Sequence, residues 1–215
     1  MSRPVEVRDP EIRRSEIAIA ILFLVTAAGA IVGATILAPV FEAPADLAQI
    51  AASRAAIATG ALLWTVNNVG FVFIALFAWP VLFPVAPFMA RAYLTTRVIE
   101  SGVMMLGVMA LLTIPGLAVS GTAAAVAILH EVSVVTLDAG MLPLLGFSGL
   151  FLAWPLWHHR LLPGWLSGLG VLGYVLVMLA GFFAWFGWIG IGPGDTGFLM
   201  VVPVALWEIV LMPIW

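Results

Sequence analysis

The stretch that decides the fold is IAIAILFLVTAAGAIVGATIL at residues 17–37, which contains no charged side chain. An α-helix rises about 1.5 Å per residue, so a stretch of this length crosses the roughly 30 Å hydrocarbon core of a bilayer. The whole chain of 215 residues is 64% hydrophobic and 9% charged, whereas soluble domains are about 45–50% apolar. This composition excludes a soluble globular fold and a disordered chain, and it indicates an integral membrane protein.

Five further apolar stretches follow the first. They lie at about 55–79, 90–114, 135–157, 164–189 and 198–215. Prolines and glycines separate them, and the pair Pro115-Gly116 is predicted to end the third. Since 122–157 is too long for one straight span, we expect its first part, before 135, to lie along the membrane interface. The sequence therefore predicts an all-α fold, a polytopic transmembrane helix bundle with six spans in a single domain, 1–215.

Glycine spacing predicts where these helices approach each other closely. The first span carries Gly29-x-x-x-Gly33. The fifth span and its start carry Gly164, Gly168, Gly170 and Gly173. Small residues at such spacings let helix backbones touch within a membrane, so we expect packing contacts at these positions.

The positive charges fall mostly on one side of the predicted membrane. Six spans would place these residues together: Arg3, Arg8, Arg13, Arg14, Arg91 and Arg160. Arg54 lies in an opposite loop. Because positively charged residues remain on the cytoplasmic side, both termini are predicted to be cytoplasmic.

Charge and cysteine content narrow the classes of function. The net charge at pH 7 is −3 and there is no basic patch, so nucleic acid is not an expected partner. The absence of Cys excludes disulfides, thiolate nucleophiles and Cys-ligated metal sites. We expect no metal and no cofactor, since His130-Glu131 lacks the second His of a metalloprotease motif.

The third span carries the most informative polar residues. On a helix, four of them share one face: Tyr93, Arg97, Glu100 and Ser101. A charged side chain at mid-span costs roughly 2.5–3.5 kcal/mol on insertion scales, so this face is predicted to point into the bundle. Glu208 of the sixth span lies at a similar depth, so two acids share one guanidinium and one acid is expected to keep its proton. Arg97, Glu100 and Glu208 are therefore candidate catalytic residues, with an ion pair that only cross-links helices as the equally weighted alternative.

Other polar and aromatic residues are candidates for ligand binding. They are Trp64, Asn67, Asn68, Tyr93, His130, Asp138, Tyr174 and Trp207. Asn67 and Asn68 fall near the centre of the second span and Tyr174 near the centre of the fifth, so together they predict a polar pocket. The alternative for each residue is a hydrogen bond between helices that serves association alone.

Three segments carry a family resemblance. They are TRVIES at 96–101, LPGWLSGLG at 162–170 and PVALWE at 203–208. In this order they resemble a family of small bacterial membrane proteins, domain of unknown function 4386, over nearly the whole chain from Glu16. Arg97 and Glu100 match the family's Arg-x-x-Glu and Glu208 its final-helix acid, whereas Gly164 departs from a position that is often basic. The resemblance implies the fold and a multi-pass location in the bacterial plasma (inner) membrane, and it brings no established activity.

Three classes of function remain open, with membrane lipid and a lipophilic small molecule as expected partners. The favoured class binds a lipophilic molecule and transforms it by acid/base chemistry, for example by isomerisation, cyclisation or epoxide opening of an isoprenoid-like substrate. In that class Glu100 or Glu208 is the general acid and Arg97 fixes charge. The second class is a proton-coupled transporter of a small solute, in which a homodimer would supply the missing repeat. The third is a non-catalytic lipid-binding or accessory membrane protein.

Overall fold

The computed structural model describes residues 10–42, 46–136, 141–192 and 194–211, and these contain helices and no strand. The helices are α1 Pro10–Glu42, α2 Leu47–Ala52, α3 Arg54–Leu82, α4 Pro87–Val119, α5 Ala123–Val134, α6 Met141–His158, α7 Gly164–Trp185 and α8 Thr196–Leu206. α8 continues as a π-helical turn at Trp207–Leu211, called the π turn below. The candidate residue Asp138 and residues 212–215 of the predicted sixth span lie outside the described residues.

Five of the described helices are long and apolar enough to cross a membrane, namely α1, α3, α4, α6 and α7. α8 and the π turn form a shorter apolar helix. The outer surfaces of the long helices expose large apolar side chains, including Ile31 at 60%, Leu62 at 62% and Leu106 at 61%. Such apolar surfaces are suited to contact lipid. A helix can be exposed there because its backbone N–H and C=O groups are hydrogen-bonded to each other within the helix. The all-α class is therefore confirmed, and the chain is a multi-pass helical membrane protein.

Three helices end four or more residues away from their predicted boundaries, and one of them, α1, runs from Pro10 to Glu42 rather than over 17–37. α4 continues through Pro115 to Val119, so the predicted stop at Pro115-Gly116 is wrong. A proline removes one backbone hydrogen bond, and transmembrane helices tolerate this loss when neighbouring elements pack around it. The chain turns instead at Gly121, which has a φ of 72°. α7 ends at Trp185 rather than at 189, shortly before Gly187 with a φ of 68°.

The segment predicted to lie along the membrane interface forms α5 and packs lengthwise against α4. α5 begins just after α4 ends, and Ser133 near its far end donates a hydrogen bond to Gly107 O of α4 at 3.2 Å. α5 therefore returns antiparallel along the C-terminal third of α4. The buried residues of α5 are Val126, His130 and Ser133, and they lie on one face of the helix.

Two hydrophobic clusters fill the bundle, one towards each end. Near the start of α1, Phe23, Phe71 and Tyr93 meet residues of α6, α7 and α8. Towards the end of α1, Leu37 and Met104 meet residues of α2 and α5. On α3 and α4, positions 67–68 and 97–100 fall between these clusters. The charged and amide side chains therefore occupy a layer at the middle height of the bundle.

The predicted glycine contact of α1 is present. A Cβ on Gly33 would lie 2.6 Å from Trp64 Cδ1, and a Cβ on Gly29 would lie 3.1 Å from Leu63 O. Small residues at these positions allow such a close approach, so α1 and α3 are in direct contact along this stretch.

The predicted glycines of α7 divide into two groups. Cβ atoms on Gly170 and Gly173 would lie within 3 Å of Trp207 and Val204, so α7 contacts the last helix there. No described atom lies within 4 Å of a Cβ built on Gly164 or Gly168. The helix contact expected at those two positions is therefore absent from the described structure.

Candidate functional site

A buried ion pair forms the centre of the polar layer. Arg97 Nη1 donates to both carboxylate oxygens of Glu100, at 2.9 Å to Oε1 and 3.0 Å to Oε2. The i,i+3 spacing along α4 places the two side chains next to each other. Their exposed fractions are 0% and 1%, so the predicted inward orientation of this polar face is confirmed.

Ser148 of α6 adds a further hydrogen bond to Glu100. Its Oγ lies 2.7 Å from Glu100 Oε2, which therefore accepts from both Ser148 and Arg97. A buried carboxylate is stabilised when its oxygens accept hydrogen bonds, most of all from a charged donor. Glu100 thus links α4 to α6 and has little accepting capacity left.

The second acid, Glu208, approaches Arg97 from the π turn. Glu208 Oε1 lies 3.8 Å from Arg97 Nη2, and it accepts a 2.6 Å hydrogen bond from the Tyr174 hydroxyl of α7. The side chain of Glu208 is 12% exposed, in contrast to the enclosed Arg97. We call the five residues of this network the Arg97 cluster: Arg97, Glu100, Ser148, Tyr174 and Glu208.

The π turn that carries Glu208 is anchored by Trp207. Trp207 Nε1 donates to Leu166 O of α7 at 2.9 Å, and its ring meets Tyr174 edge to face with centroids 5.6 Å apart. Turns of this kind are rare within α-helices and are frequent at functional sites. Trp207, which was predicted to bind a ligand, is therefore fully buried and packs against the Arg97 cluster through Tyr174.

Two glycines make room for the aromatic side chains of the cluster. A Cβ on Gly149 of α6 would overlap the ring of Tyr174, and a Cβ on Gly170 of α7 would lie 2.7 Å from Trp207 Cε2. The ring of Tyr174 consequently lies directly on the backbone of α6. This contact fixes the direction in which the Tyr174 hydroxyl points.

Aromatic rings cover the guanidinium of Arg97. Its Cζ lies 4.6 Å from the ring centroid of Phe71 on α3 and 5.3 Å from that of Tyr93 on α4. The negative face of an aromatic ring attracts a cation, most strongly where water is excluded. Phe71 and Tyr93 therefore partly replace the hydration that Arg97 loses on burial.

Three donor atoms of this site have no hydrogen-bond partner in the described part of the chain. They are Arg97 Nε, Arg97 Nη2 and the Tyr93 hydroxyl. Arg97 Nη2 contacts Glu208 only at an ion-pair distance of 3.8 Å. Since buried polar groups in proteins are nearly always paired, these donors are suited to bind an oxygen atom from outside the chain.

The predicted asparagines lie in the same layer but make other contacts. Asn67 Nδ2 lies 3.5 Å from Asn68 Oδ1, and Asn68 Nδ2 lies 3.7 Å from Met105 Sδ of α4. Both asparagines are buried on α3. Their described contacts join α3 to α4 and do not include the Arg97 cluster.

Trp64 and His130 lie nearer the other end of the bundle. Trp64 Nε1 donates to Ala30 O at 3.2 Å, and its ring stacks on Phe41 with centroids 6.0 Å apart. The ring of His130 meets Phe41 at 5.4 Å. Neither residue is therefore brought to the Arg97 cluster. Among the described residues, no group of three His, Asp or Glu side chains is arranged to hold a metal ion.

Sequence reasoning missed Ser148 and the role of Phe71. Ser148 is the one hydroxyl-bearing residue of α6, and it lies between Gly146 and Gly149. A single hydroxyl in an apolar span, next to glycines that allow a neighbouring helix to approach, is a signal that could have identified it. Phe71 gave no such signal, because aromatic residues are common throughout these spans.

The fold and the site together define a helical membrane protein with a buried Arg/Glu pair at the centre of its bundle. The family described as Domain of unknown function (DUF4386) matches residues 18–215, nearly the whole chain, and the chain belongs to this family. The resemblance found in the sequence is thereby confirmed. No curated protein and no solved structure matches the chain.

Proposed function

We propose that the Arg97 cluster binds a lipophilic small molecule within the membrane and transforms it by acid/base chemistry. The observation that carries the proposal is the difference between the two acids. Glu100 is enclosed and accepts hydrogen bonds at both oxygens, whereas Glu208 is 12% exposed and is held by Tyr174. A positioned carboxyl that a bound molecule can reach is suited to exchange a proton with it.

The contacts assign a different task to each residue. Glu208 gives or takes the proton, and Tyr174 fixes its carboxyl. Arg97 stabilises negative charge that develops on the reacting molecule, which a fixed donor does most effectively where water is excluded. Glu100 and Ser148 hold the guanidinium in place and are positioning residues.

The surroundings of the cluster favour a lipophilic substrate. Phe71, Tyr93 and Trp207 line it with aromatic rings, and the outer faces of the long helices are apolar. Isomerisation, cyclisation and epoxide opening of an isoprenoid-like molecule can each begin with a proton transfer. These reactions use the kinds of groups that the cluster provides.

We also propose six membrane spans, with both termini in the cytoplasm of a bacterial cell and the chain in its plasma membrane. Trp207, directly after α8, donates a hydrogen bond to Leu166 O near the start of α7, so the last segment runs back towards the end of the bundle at which α7 begins. An even number of membrane crossings brings the end of the chain back to the side on which it begins. α8 with the π turn is the sixth crossing, and Arg13 and Arg14 assign this end to the cytoplasm.

Deuterium exchange tests the proposed chemistry. The protein in lipid nanodiscs is incubated in D₂O with a total bacterial lipid extract, and the lipophilic compounds are analysed by mass spectrometry. We expect a compound to gain deuterium or to change structure with the wild type and with Glu131→Gln, a control whose carboxylate is 73% exposed. Glu208→Gln should abolish this change. A wild type without effect, or an active Glu208→Gln variant, would contradict the proposal.

A further inference from the structure

One edge of the Arg97 guanidinium makes no hydrogen bond with the described residues, although Glu208 Oε1 lies 3.8 Å from Nη2. Nη1 is committed to Glu100 at 2.9 and 3.0 Å, whereas Nε and Nη2 have no hydrogen-bond partner among the described residues. In the planar guanidinium, the N–H of Nε and one N–H of Nη2 point in the same direction. This Nε–Nη2 edge can donate two hydrogen bonds to one group while Nη1 keeps the ion pair with Glu100.

A third free donor lies on the same face of α4. Tyr93 precedes Arg97 by one helical turn, and its ring centroid lies 5.3 Å from Arg97 Cζ. Its hydroxyl is buried and has no partner in the described chain. A group that binds to these three donors would have to supply lone pairs.

The charges of the Arg97 cluster favour a neutral acceptor. Glu100 already neutralises Arg97, and Glu208 brings a second carboxyl to 3.8 Å from Nη2. An anionic ligand would add a third acidic group around one cation within the membrane, where uncompensated charge is costly. A hydroxyl ligand would add another donor, whereas a carbonyl oxygen accepts with two lone pairs and carries no net charge.

We infer that the ligand of this site is a lipophilic carbonyl compound whose oxygen binds on the Nε–Nη2 edge of Arg97, with the Tyr93 hydroxyl as an additional donor. The inference rests on the proposed function, since it names the polar group of the molecule bound there. Because Glu208 approaches the same nitrogen, Nη2, the carbonyl group is bound next to the acid/base residue.

This arrangement supports a balanced isomerisation. The Glu208 carboxylate takes a proton from the carbon next to the carbonyl, and the electron pair of that C–H bond forms a C=C bond. The π pair of the C=O bond moves to oxygen, where Arg97 and Tyr93 stabilise the enolate. In a carbonyl compound with a C=C bond between its β and γ carbons, return of the proton from Glu208 to the γ carbon moves that bond next to the carbonyl. The carbonyl and the carboxylate are regenerated, so no other reactant is consumed.

Binding of three matched probes tests this inference. They are the isoprenoid methyl ketone farnesylacetone, isotopically labelled at its carbonyl carbon, and the hydrocarbon and carboxylic acid with the same chain. Each is titrated into the full-length protein in nanodiscs, and the carbonyl resonance of the ketone is followed by NMR. We expect the ketone to bind more tightly than the other two probes, with a shift of its carbonyl resonance.

Two variants with one control locate the binding. Tyr93→Phe should weaken ketone binding about tenfold, as expected for the loss of one hydrogen bond. Arg97→Lys should abolish the resonance shift, whereas Arg91→Lys, at an arginine that contacts Phe83 rather than the cluster, should preserve it. If Arg97→Lys does not fold, Tyr93→Phe decides.

The outcomes separate this inference from the proposed function. Equal or tighter binding of the acid or the hydrocarbon overturns the carbonyl assignment and leaves a lipophilic ligand site in place. Unchanged ketone binding in Tyr93→Phe and Arg97→Lys overturns the assignment to this edge. If none of the three probes binds the wild type, the proposed function fails together with the inference.

Discussion

Tyr174 donates a 2.6 Å hydrogen bond to Glu208 Oε1 and thereby joins α7 to the π turn. The same oxygen lies 3.8 Å from Arg97 Nη2, which is too far for a hydrogen bond and close enough for an ion pair. Tyr174 therefore holds Glu208 beside Arg97, whose charge is already neutralised by Glu100. This intermediate position distinguishes Glu208 from Glu100, whose pairing is complete.

Tyr174→Phe tests the importance of this hydrogen bond. The substitution removes the hydroxyl and keeps the ring that packs against Trp207 and Gly149. We expect a loss of about 1 kcal/mol in the free energy of unfolding, the usual scale for one hydrogen bond between helices. Unfolding by sodium dodecyl sulfate in mixed micelles measures it. A loss as large as that of a core deletion would show that the ring, not the hydroxyl, had been disturbed.

The two buried acids should differ in their contribution to stability. Glu100→Gln leaves the enclosed Arg97 without its charged partner, and breaking a buried pair in this way costs about 3–5 kcal/mol. Glu208→Gln should lower the free energy of unfolding much less. Glu208 is 12% exposed, and a single contact at 3.8 Å joins it to Arg97. Thermal unfolding of both variants beside Glu131→Gln gives the order. A larger loss for Glu208→Gln than for Glu100→Gln would make Glu208 the structural partner of Arg97.

Gly149→Ala tests whether α6 positions Tyr174. The new methyl group would overlap the Tyr174 ring, and overpacking of this kind costs about 1–3 kcal/mol. Gly168→Ala is the matched control, because no described atom lies within 4 Å of its Cβ. It should be neutral or slightly stabilising, since Ala favours helix more than Gly does. Equal effects of the two variants on the melting temperature would show that Tyr174 does not depend on Gly149.

The α4 part of the site could be predicted because the period of a helix is known. It places Tyr93, Arg97 and Glu100 on one face, and the cost of exposing charge to lipid turns that face inward. The contact between Glu208 and Arg97 could not be predicted, since it depends on how closely α7 approaches α6 and α8. The role of Ser148 could not be predicted for the same reason, because its hydrogen bond to Glu100 depends on how α6 packs against α4.

Polar or aromatic character within a span did not indicate which residues meet. Trp64 and His130 have the same kinds of side chain as Trp207 and Tyr93, yet they contact Phe41 towards the other end of the bundle. The described helices share two hydrophobic clusters, and the height of a residue along its helix is known only to within about a turn from sequence. One turn is enough to move a side chain from the polar layer into either cluster.

The proposed topology can be tested with single cysteines, because the chain contains none. Ala52→Cys and His159→Cys place exposed thiols at opposite ends of the bundle. In intact cells, a membrane-impermeant thiol reagent should label Ala52→Cys, whereas His159→Cys should react only after the membrane is opened. Labelling of both positions in intact cells, or the reverse pattern, would contradict a cytoplasmic N-terminus and the membrane crossings proposed before residue 159.

The compounds that the purified protein retains show whether the Arg97 cluster holds a lipophilic molecule. Small molecules are extracted from the wild type, Arg97→Lys and Glu131→Gln in nanodiscs of defined lipid and identified by mass spectrometry. We expect one lipophilic compound enriched with the wild type and with Glu131→Gln, and lost from an Arg97→Lys variant that is still folded. No enriched compound with the wild type, or equal retention by folded Arg97→Lys, would contradict binding at the Arg97 cluster.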